Sequence, residues 1–253
     1  MILIKSKKEV DYIAESCRIV AETLQLVKSK IKPGVTTEEL DLIAEDYIRS
    51  NGGIPAFKGY TQPGTPPFPG SICASIDEEV VHGIPGKRIL KEGEIISIDV
   101  GVLKNNYYGD AALSVGVGEI SELKKKLLDV TEKSLYEGIA QAIVGNRIHD
   151  ISYAVQNYVE SNGFSIVKDL CGHGVGRFLH EDPSIPNYGI KGTGAKLKNG
   201  MTLAIEPMVN AGDWRVKTKD DGWTVVTADG LPSAHFEHTI LVNGNKPEIL
   251  TVA

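Results

Sequence analysis

The sequence predicts an α+β fold in a single domain, residues 1–253, built from two related halves of about 1–118 and 119–253. Three observations carry this. Helical periodicity followed by β patterning occurs twice in the same order, the two occurrences align at shifts between 107 (Asp99 to Glu206) and 111 (Gly34 to Gly145), and no linker or low-complexity stretch separates them. Segregated runs of helices and strands are the pattern of an α+β architecture. A period near 110 residues is far longer than the roughly 20–50 residues of a solenoid unit, so it reads as duplication inside one domain.

Ser6-Lys7-Lys8-Glu9 is a capping box that opens the first helix. Val10, Ile13, Cys17, Val20, Leu24 and Val27 then recur in steps of three and four, an apolar stripe of helical period that Pro33-Gly34 ends. Thr36-Thr37-Glu38-Glu39 opens a second helix, closed by Gly52-Gly53. From Gly59 to Gly70, Pro63, Pro66, Pro67 and Pro69 predict a loop. Cys73 to Val117 is β-patterned. Ser121–Ile143 and Ile148–Ser161 read as the second helix pair, and β patterning resumes from Val167 with a hairpin-like Trp214–Phe236. Gly34–Gly52 aligns with Gly145–Gly163, which sets Tyr47, Ser50, Asn51 and Gly52 on Tyr158, Ser161, Asn162 and Gly163.

The repeat also places acids. Leu90-Lys91-Glu92-Gly93 leads through Ile95, Ile96 and Ile98 to Asp99, and Leu197-Lys198-Asn199-Gly200 leads through Met201, Leu203 and Ile205 to Glu206. Each is a turn, an apolar strand and a carboxylate at the strand's far end. A second acid follows each first one, with Asp110 and Glu237 opening further apolar strands. A buried carboxylate is costly unless it is paired or bound to metal, and four together would repel strongly at low dielectric. Two divalent cations would balance their four charges, which predicts a cation site on a pseudo-two-fold axis. His82-Gly83 precedes Asp99 as His173-Gly174 precedes Glu206, an alignment that makes the two histidines repeat partners. An oxygen-rich set with one or two imidazoles suits Mn(II), Fe(II), Co(II) or Zn(II).

His173 and His180 frame Gly172-His-Gly-Val-Gly-Arg-Phe-Leu-His180, whose glycines would let backbone approach the site closely. Gly172-x-Gly174-x-Gly176 does not read as a dinucleotide loop, which must run directly into a helix, because Pro183 and Pro186 follow. His82 is placed at the mouth of the site. Period two puts His235 on the face of Glu237 and His238 on the opposite one, while His149 starts a helix and reads as solvated.

Composition adds bounds. Hydrophobic content of 42% and charged content of 24% are those of a soluble globular chain, and a net charge of -6 offers no basic face for nucleic acid. Met1-Ile2-Leu3-Ile4 is too short for a signal-peptide core, and no run approaches a membrane span. Cys17, Cys73 and Cys171, odd in number and without metal-motif spacing, predict a reducing cytoplasm.

Glu79-Val-Val-His82-Gly-Ile-Pro85, Ile98-Asp99-Val-Gly101, Gly109-Asp110, Gly172-His173-Gly-Val-Gly176, His180-Glu-Asp-Pro183, Ala204-Ile-Glu206-Pro207 and Phe236-Glu237-His-Thr239 together resemble the methionine aminopeptidases of the pita-bread metallopeptidase fold. The resemblance covers nearly the whole chain. It implies an antiparallel sheet covered by helices, with Asp99, Asp110, His173, Glu206 and Glu237 holding two divalent ions from among Co, Mn, Fe(II), Zn and Ni. The implied reaction removes an N-terminal methionine from peptides and nascent chains, with a hydroxide bridging two ions about 3.5–4 Å apart. In that scheme Glu206 is also the general base, and the α-amine binds beside Asp99 and Asp110. His180 hydrogen-bonds the scissile carbonyl and His82 contacts the amide nitrogen. Tyr60, Phe68, Cys73, His82, Leu179 and Trp223 match the methionine side-chain pocket; by themselves Cys73 and Trp223 read as core. Aromatic and sulfur contacts suit a thioether.

Only 26 positions separate His180 from Glu206, so the helical insertion of type II enzymes is absent and the chain resembles the compact bacterial-style type I enzymes. The resemblance also implies a cytoplasmic monomer that meets the ribosome surface and has no membrane or sequence-specific nucleic-acid partner. Phe68 and Leu179 stand where the family carries tyrosine and an aromatic residue, and the Tyr60–Cys73 loop is longer than in the short bacterial enzymes. Those departures bear on pocket shape. The rival readings are an X-Pro peptidase, a non-enzymatic scaffold that has lost its metal, and a hydrolase of another small amide.

Overall fold

The chain first forms α1 (Lys7–Lys28), α2 (Thr37–Ser50), β1 (Ile54–Pro55), β2 (Cys73–Ile76), β3 (Glu79–Val81), β4 (Ile95–Lys104) and β5 (Tyr107–Gly116). It continues through α3 (Glu122–Ala140), α4 (Ile148–Ser161), β6 (Ser165–Ile166), β7 (Cys171–Gly174), β8 (Glu181–Pro186), β9 (Thr202–Ile205) and β10 (Met208–Asn210). Strands β11 (Val216–Thr218), β12 (Val225–Thr227), β13 (Ser233–His235), β14 (Glu237–Leu241) and β15 (Glu248–Ile249) complete it. The structure is a computed structural model and describes residues 1–253.

Both capping boxes form: Ser6 with Glu9 ahead of α1, and Thr36 with Glu39 ahead of α2. Helices α2 and α4 end alike. Asn51 and Asn162 donate from their side-chain amides to the carbonyls of Tyr47 and Tyr158, at 2.9 and 2.8 Å. Gly52 and Gly163 follow at φ 72° and 85°, a left-handed backbone that glycine adopts without a Cβ clash. The residues common to the two copies here are therefore those that stop a helix. Helix α3 ends before the expected Ile143, because Val144 turns away and donates its N–H to the Gly244 carbonyl at 2.7 Å.

The main sheet has nine strands in the order β1-β4-β5-β14-β9-β7-β8, with β2 also on β4 and β15 on β14. The order reads the same from its centre outward: β5 and β14 carry Asp110 and Glu237, while β4 and β9 lead to Asp99 and Glu206. Hairpin β4–β5 turns through Asn105 and Asn106, both at positive φ as a two-residue type I′ loop requires. Alternation then sorts the faces. Ile96, Ile98, Val100 and Val102 pack with Ile19, Val20 and Leu24 of α1 and Leu40 and Ile48 of α2, which turns Asp99 to the other side. Leu203, Ile205 and Ile240 pack with Leu135 and Ile139 of α3 and Ile151 of α4, which turns Glu206 and Glu237 the same way.

Strand register corrects one alignment of the repeat. Cys73 lies opposite Asp99, and His173 lies opposite Ala204, so two residues along the ladder Cys171 falls opposite Glu206. Cys73 and Cys171 are therefore equivalent, and His173 corresponds to Ser75. His82 follows β3, which belongs to a separate sheet of order β11-β12-β3, so it is not the counterpart of His173. No helix is long and apolar enough to cross a membrane.

Candidate metal centre

Asp99, Asp110, His173, Glu206 and Glu237 line one cavity of about 470 Å³. Ligand atoms of Asp110, His173 and Glu237 lie within 4.8 Å of one another. Glu206 joins them through His173, whose Nε2 is 3.5 Å from Glu206 Oε1 and 3.9 Å from Asp110 Oδ2. Asp99 lines the same cavity, close enough to Asp110 and Glu206 for the acids to raise one another's proton affinity. Thr239 locks the central seam: its hydroxyl accepts from the Asp110 N–H at 3.2 Å and donates to the Asp110 carbonyl at 2.7 Å. His173 Nδ1 donates to the Gly174 carbonyl at 3.0 Å, which leaves the Nε2 lone pair facing the carboxylates.

Asp99 Oδ1, Asp110 Oδ1 and Glu237 Oε1 are buried without a hydrogen-bond partner. Buried polar atoms are normally satisfied, and an unpaired buried carboxylate is among the costliest exceptions. Burial above all, with the charge of Glu206 adding to it, pushes the Asp99 carboxyl up to about 7. Burial pushes Glu206 up to about 8. Asp110 and Glu237 are raised well above the carboxylate range by burial and then by their acidic neighbours. Burial also takes His173 down to about 3, so its imidazole is neutral. Four carboxylates with oxygens to spare and one neutral imidazole fit a divalent metal centre, and no thiolate is among the donors.

Beside the acids lies an apolar pocket. Phe68, Cys73 and Trp223 form a buried cluster flanked by Phe57, Tyr60 and Ile84. Phe68 meets Trp223 edge-on at 5.5 Å, and the rings of Tyr60 and His82 lie 6.3 and 6.4 Å from the indole. Trp223 Nε1 donates to the Pro66 carbonyl at 2.8 Å, so the proline-rich loop is tied over the pocket. Asp41 of α2 holds its other end, accepting from the Ser71 and Ile72 amides at 2.7 and 3.0 Å. Leu179 and His82 also line the cavity, and His82 sits at φ 58°, in the left-handed region that residues other than glycine adopt uncommonly. His180 packs edge-on against His173, ring centroids 4.5 Å apart, and the Tyr60 hydroxyl lies 2.9 Å from its Nδ1. All twelve site residues expected from the sequence therefore border one cavity.

A sequence profile of metallopeptidase family M24 matches residues 11–244. The chain belongs to metallopeptidase family M24. Methionine aminopeptidase 1 of Bacillus subtilis is 55% identical over 251 residues, 99% of each chain. The crystal structure of the Thermotoga maritima methionine aminopeptidase matches with a TM-score of 0.96 at 48% identity, across the whole of both chains. Prolidase from Pyrococcus furiosus matches at a TM-score of 0.78 with 22% identity, covering 99% of this chain and 65% of that one, and shows the common pita-bread fold alone.

Other residues of this M24 centre were not singled out from the sequence. Phe57 and Met208 line the cavity. Gly101 was a usable sign of the first, since a Cβ there would come 2.7 Å from the Phe57 ring. His235 is fully enclosed, with Nε2 3.6 Å from Glu206 Oε2, so it backs Glu206 more closely than Glu237. His238 faces the helices, as alternation requires, bonded to Thr251. His149 is not merely solvated: its Nδ1 lies 2.7 Å from the Thr193 hydroxyl and its ring supports the 189–194 turn. The glycines of the 172–174 segment serve a different purpose from the expected one. A Cβ at Gly172 or Gly174 would collide with the carbonyls of Ala204 or Asp182, so these residues let strands approach each other rather than open the site.

Proposed function

We propose that this M24 chain removes the N-terminal methionine of peptides and nascent proteins by hydrolysing the first peptide bond. The observation that carries the reading is one cavity holding four buried carboxylates and a neutral imidazole on one side and the Phe68–Cys73–Trp223 pocket on the other. Asp99, Asp110, His173, Glu206 and Glu237 would hold two divalent ions, drawn from Co, Mn, Fe(II), Zn or Ni. Such ions supply a Lewis acid and bring the pKa of the attacking water toward neutrality.

The remaining steps belong to side chains. The thioether fills the space between Phe68, Cys73 and Trp223, with Tyr60 and Leu179 at its edge, where soft sulfur contacts are favourable. The acidic floor at Asp99 and Asp110 attracts the free α-amine. Glu206, whose carboxyl has a high proton affinity when buried, takes the proton of the attacking water. Donation from the Tyr60 phenol to His180 Nδ1 leaves the ring proton on Nε2, which can donate to the carbonyl oxygen as charge grows there. His82, on the pocket wall, holds the amide nitrogen that departs as an amine.

The whole of 1–253 acts as one catalytic domain in this reading, with halves of about 1–118 and 119–253; the palindromic strand order supports that division. We further place the enzyme in the cytoplasm as a monomer acting at the ribosome surface, a compartment in keeping with three free cysteines. The test is release of the first residue from Met-Ala-Ser and Ala-Pro-Ala by metal-stripped protein and after Mn(II), Co(II) or Fe(II) is restored. Metal-dependent methionine release is expected. Cleavage of Ala-Pro-Ala instead would move the chain to X-Pro chemistry, and silence on both would sink the proposal.

A further inference from the structure

The residues ahead of α1 reach across the molecule to the turn that carries His180. Lys5 donates its N–H to the Gly200 carbonyl at 2.8 Å and sends its ammonium group inward, where Nζ lies 2.6 Å from Glu181 Oε2. The two side chains are only 5% and 3% exposed, so this is a buried ion pair between positions 176 residues apart. The other oxygen, Glu181 Oε1, accepts from the Phe178 N–H at 3.1 Å. The carboxylate thus closes a loop back over Leu179 and His180, the two site residues between its partner and itself. The pair also explains Gly176, a motif residue with no part in the chemistry. A Cβ there would come 2.6 Å from Lys5 Cε and 2.8 Å from Glu181 Oε1.

We infer that Lys5 is a positioning residue for His180, acting through the Glu181 carboxylate and the Phe178 N–H. A carboxylate with neither oxygen free is fixed in place, and the Gly176–His180 turn is fixed with it. Without the ammonium group Glu181 is left as an unpaired buried charge, which is strongly unfavourable, so it turns toward water and releases the Phe178 N–H. His180 then keeps its contact with Tyr60 but loses the Phe178–Glu181 clamp that spans it. The inference rests on the proposed aminopeptidase activity for its kinetic readout and on the His180 ring for an independent one.

Misplacement by about 1 Å of a group that meets the transition state can cost about 10²-fold. Lys5→Met is therefore expected to lower kcat on Met-Ala-Ser by about 10- to 100-fold with KM changed by less than about threefold, the split of an interaction made in the transition state. In a His180→Ala background the same substitution is expected to cost less than about twofold, because two residues acting as one unit are not additive. Lys5→Met/Glu181→Gln removes both charges and keeps an oxygen for the Phe178 N–H; it is expected to recover most of kcat. Lys5→Met/Glu181→Met, an apolar replacement of the pair that such sites often tolerate, keeps the fold testable should the single variant unfold, and is expected to stay slow. The His180 imidazole resonances of the metal-free protein should shift in Lys5→Met and return in the Gln double variant. Full additivity with His180→Ala, an unshifted His180 ring, or rescue by Met as complete as by Gln would overturn the inference. Failure of the unaltered chain to release methionine would sink the activity and leave the ring measurement still decisive for Lys5.

Discussion

Metal-stripped protein is expected to become less stable as the pH rises from about 6.5 to about 8, and the size of the loss follows from the buried acids. Glu206, pushed up to about 8, and Asp99, pushed up to about 7, retain protons in the fold that the unfolded chain has already released. A carboxyl whose folded pKa is raised contributes stability that is full below its unfolded value and is lost as the pH rises through the folded one. Each proton retained by the native state costs about 1.4 kcal/mol per pH unit, hence about 2 kcal/mol over this span. The acids titrate as a coupled set rather than one by one, so one or two retained protons give about 2–4 kcal/mol. That is a large part of a typical net stability of about 5–15 kcal/mol.

Histidines act in the other direction and in another window. Burial takes His173 down to about 3 and His82 and His238 to about 4. A depressed imidazole contributes stability that is present above its unfolded value near 6.5 and is lost as the pH falls below it. The unfolded imidazoles are still half protonated at about 6.5 and lose that charge by about 7.5, so they oppose the carboxyl slope up to there, and the slope from about 7.5 to 8 reports the carboxyls. Urea unfolding with chelator present, followed by circular dichroism at several pH values, measures it. Saturating Mn(II) should flatten or invert the slope, because ligands must be deprotonated to bind. A metal-free chain whose stability is constant or rising from about 7.5 to 8 would refute the clustering of acids on which the metal centre rests.

Three further outcomes follow from the same geometry. Glu206→Gln is expected to lower turnover by at least about 10²-fold while far-UV circular dichroism and Tm of the metal-free protein hold steady or improve, since a buried acid held at a raised pKa is replaced by an amide that cannot ionise; activity within about tenfold of the parent would exclude Glu206 as the base. Tyr60→Phe deletes the phenol 2.9 Å from His180 Nδ1 and should reduce kcat more than it raises KM. A hydrogen bond of about 1–1.5 kcal/mol sets that loss near tenfold, and an unchanged kcat would show that the His180 tautomer is set elsewhere. Trp223→Ala opens the wall shared by Phe68 and Pro66 and should cut kcat/KM for Met-Ala-Ser by about 10- to 100-fold while Leu-Ala-Ser gains relative to it; equal losses on both peptides would place the methionine side chain elsewhere.

How much of this was legible in the sequence depended on the range of the interaction. Capping boxes and the Asn-Gly helix stops act over a few residues, and Ser6, Thr36, Asn51 and Asn162 do in the structure what their local patterns predict. The four acids were legible because alternation fixes the face of a strand residue once its apolar neighbours are known. Contacts set by sheet order were not. Tyr60 meets His180 across 120 positions and Lys5 meets Glu181 across 176, and nothing local in either partner marks the other. The His-Gly dipeptides at 82 and 173 misled for a related reason. A two-residue likeness carries no register, whereas the hydrogen-bond ladder sets Cys73 and Cys171 opposite Asp99 and Glu206.

Duplication accounts for the charge of the site but not for its direction. Strands β5 and β14 meet at the centre of the sheet and bring Asp110 and Glu237 together, both 3% exposed, with the repeat-related Asp99 and Glu206 on the flanking strands. Two identical halves would present the same surface on either side of these acids, and a substrate would have no preferred orientation. The differences between the copies remove that ambiguity. Only the first copy carries the proline-rich loop that is tied to Trp223 and closes an apolar pocket next to Cys73. Only the second carries the Gly176–His180 turn, fixed by Glu181 and Lys5. A first residue whose side chain enters on the Cys73 side therefore points its carbonyl toward Glu206 and His180 on the other. In the proposed reaction the shared strands would hold four costly carboxylates in register for a metal, and the unshared loops would decide which bond is presented to it.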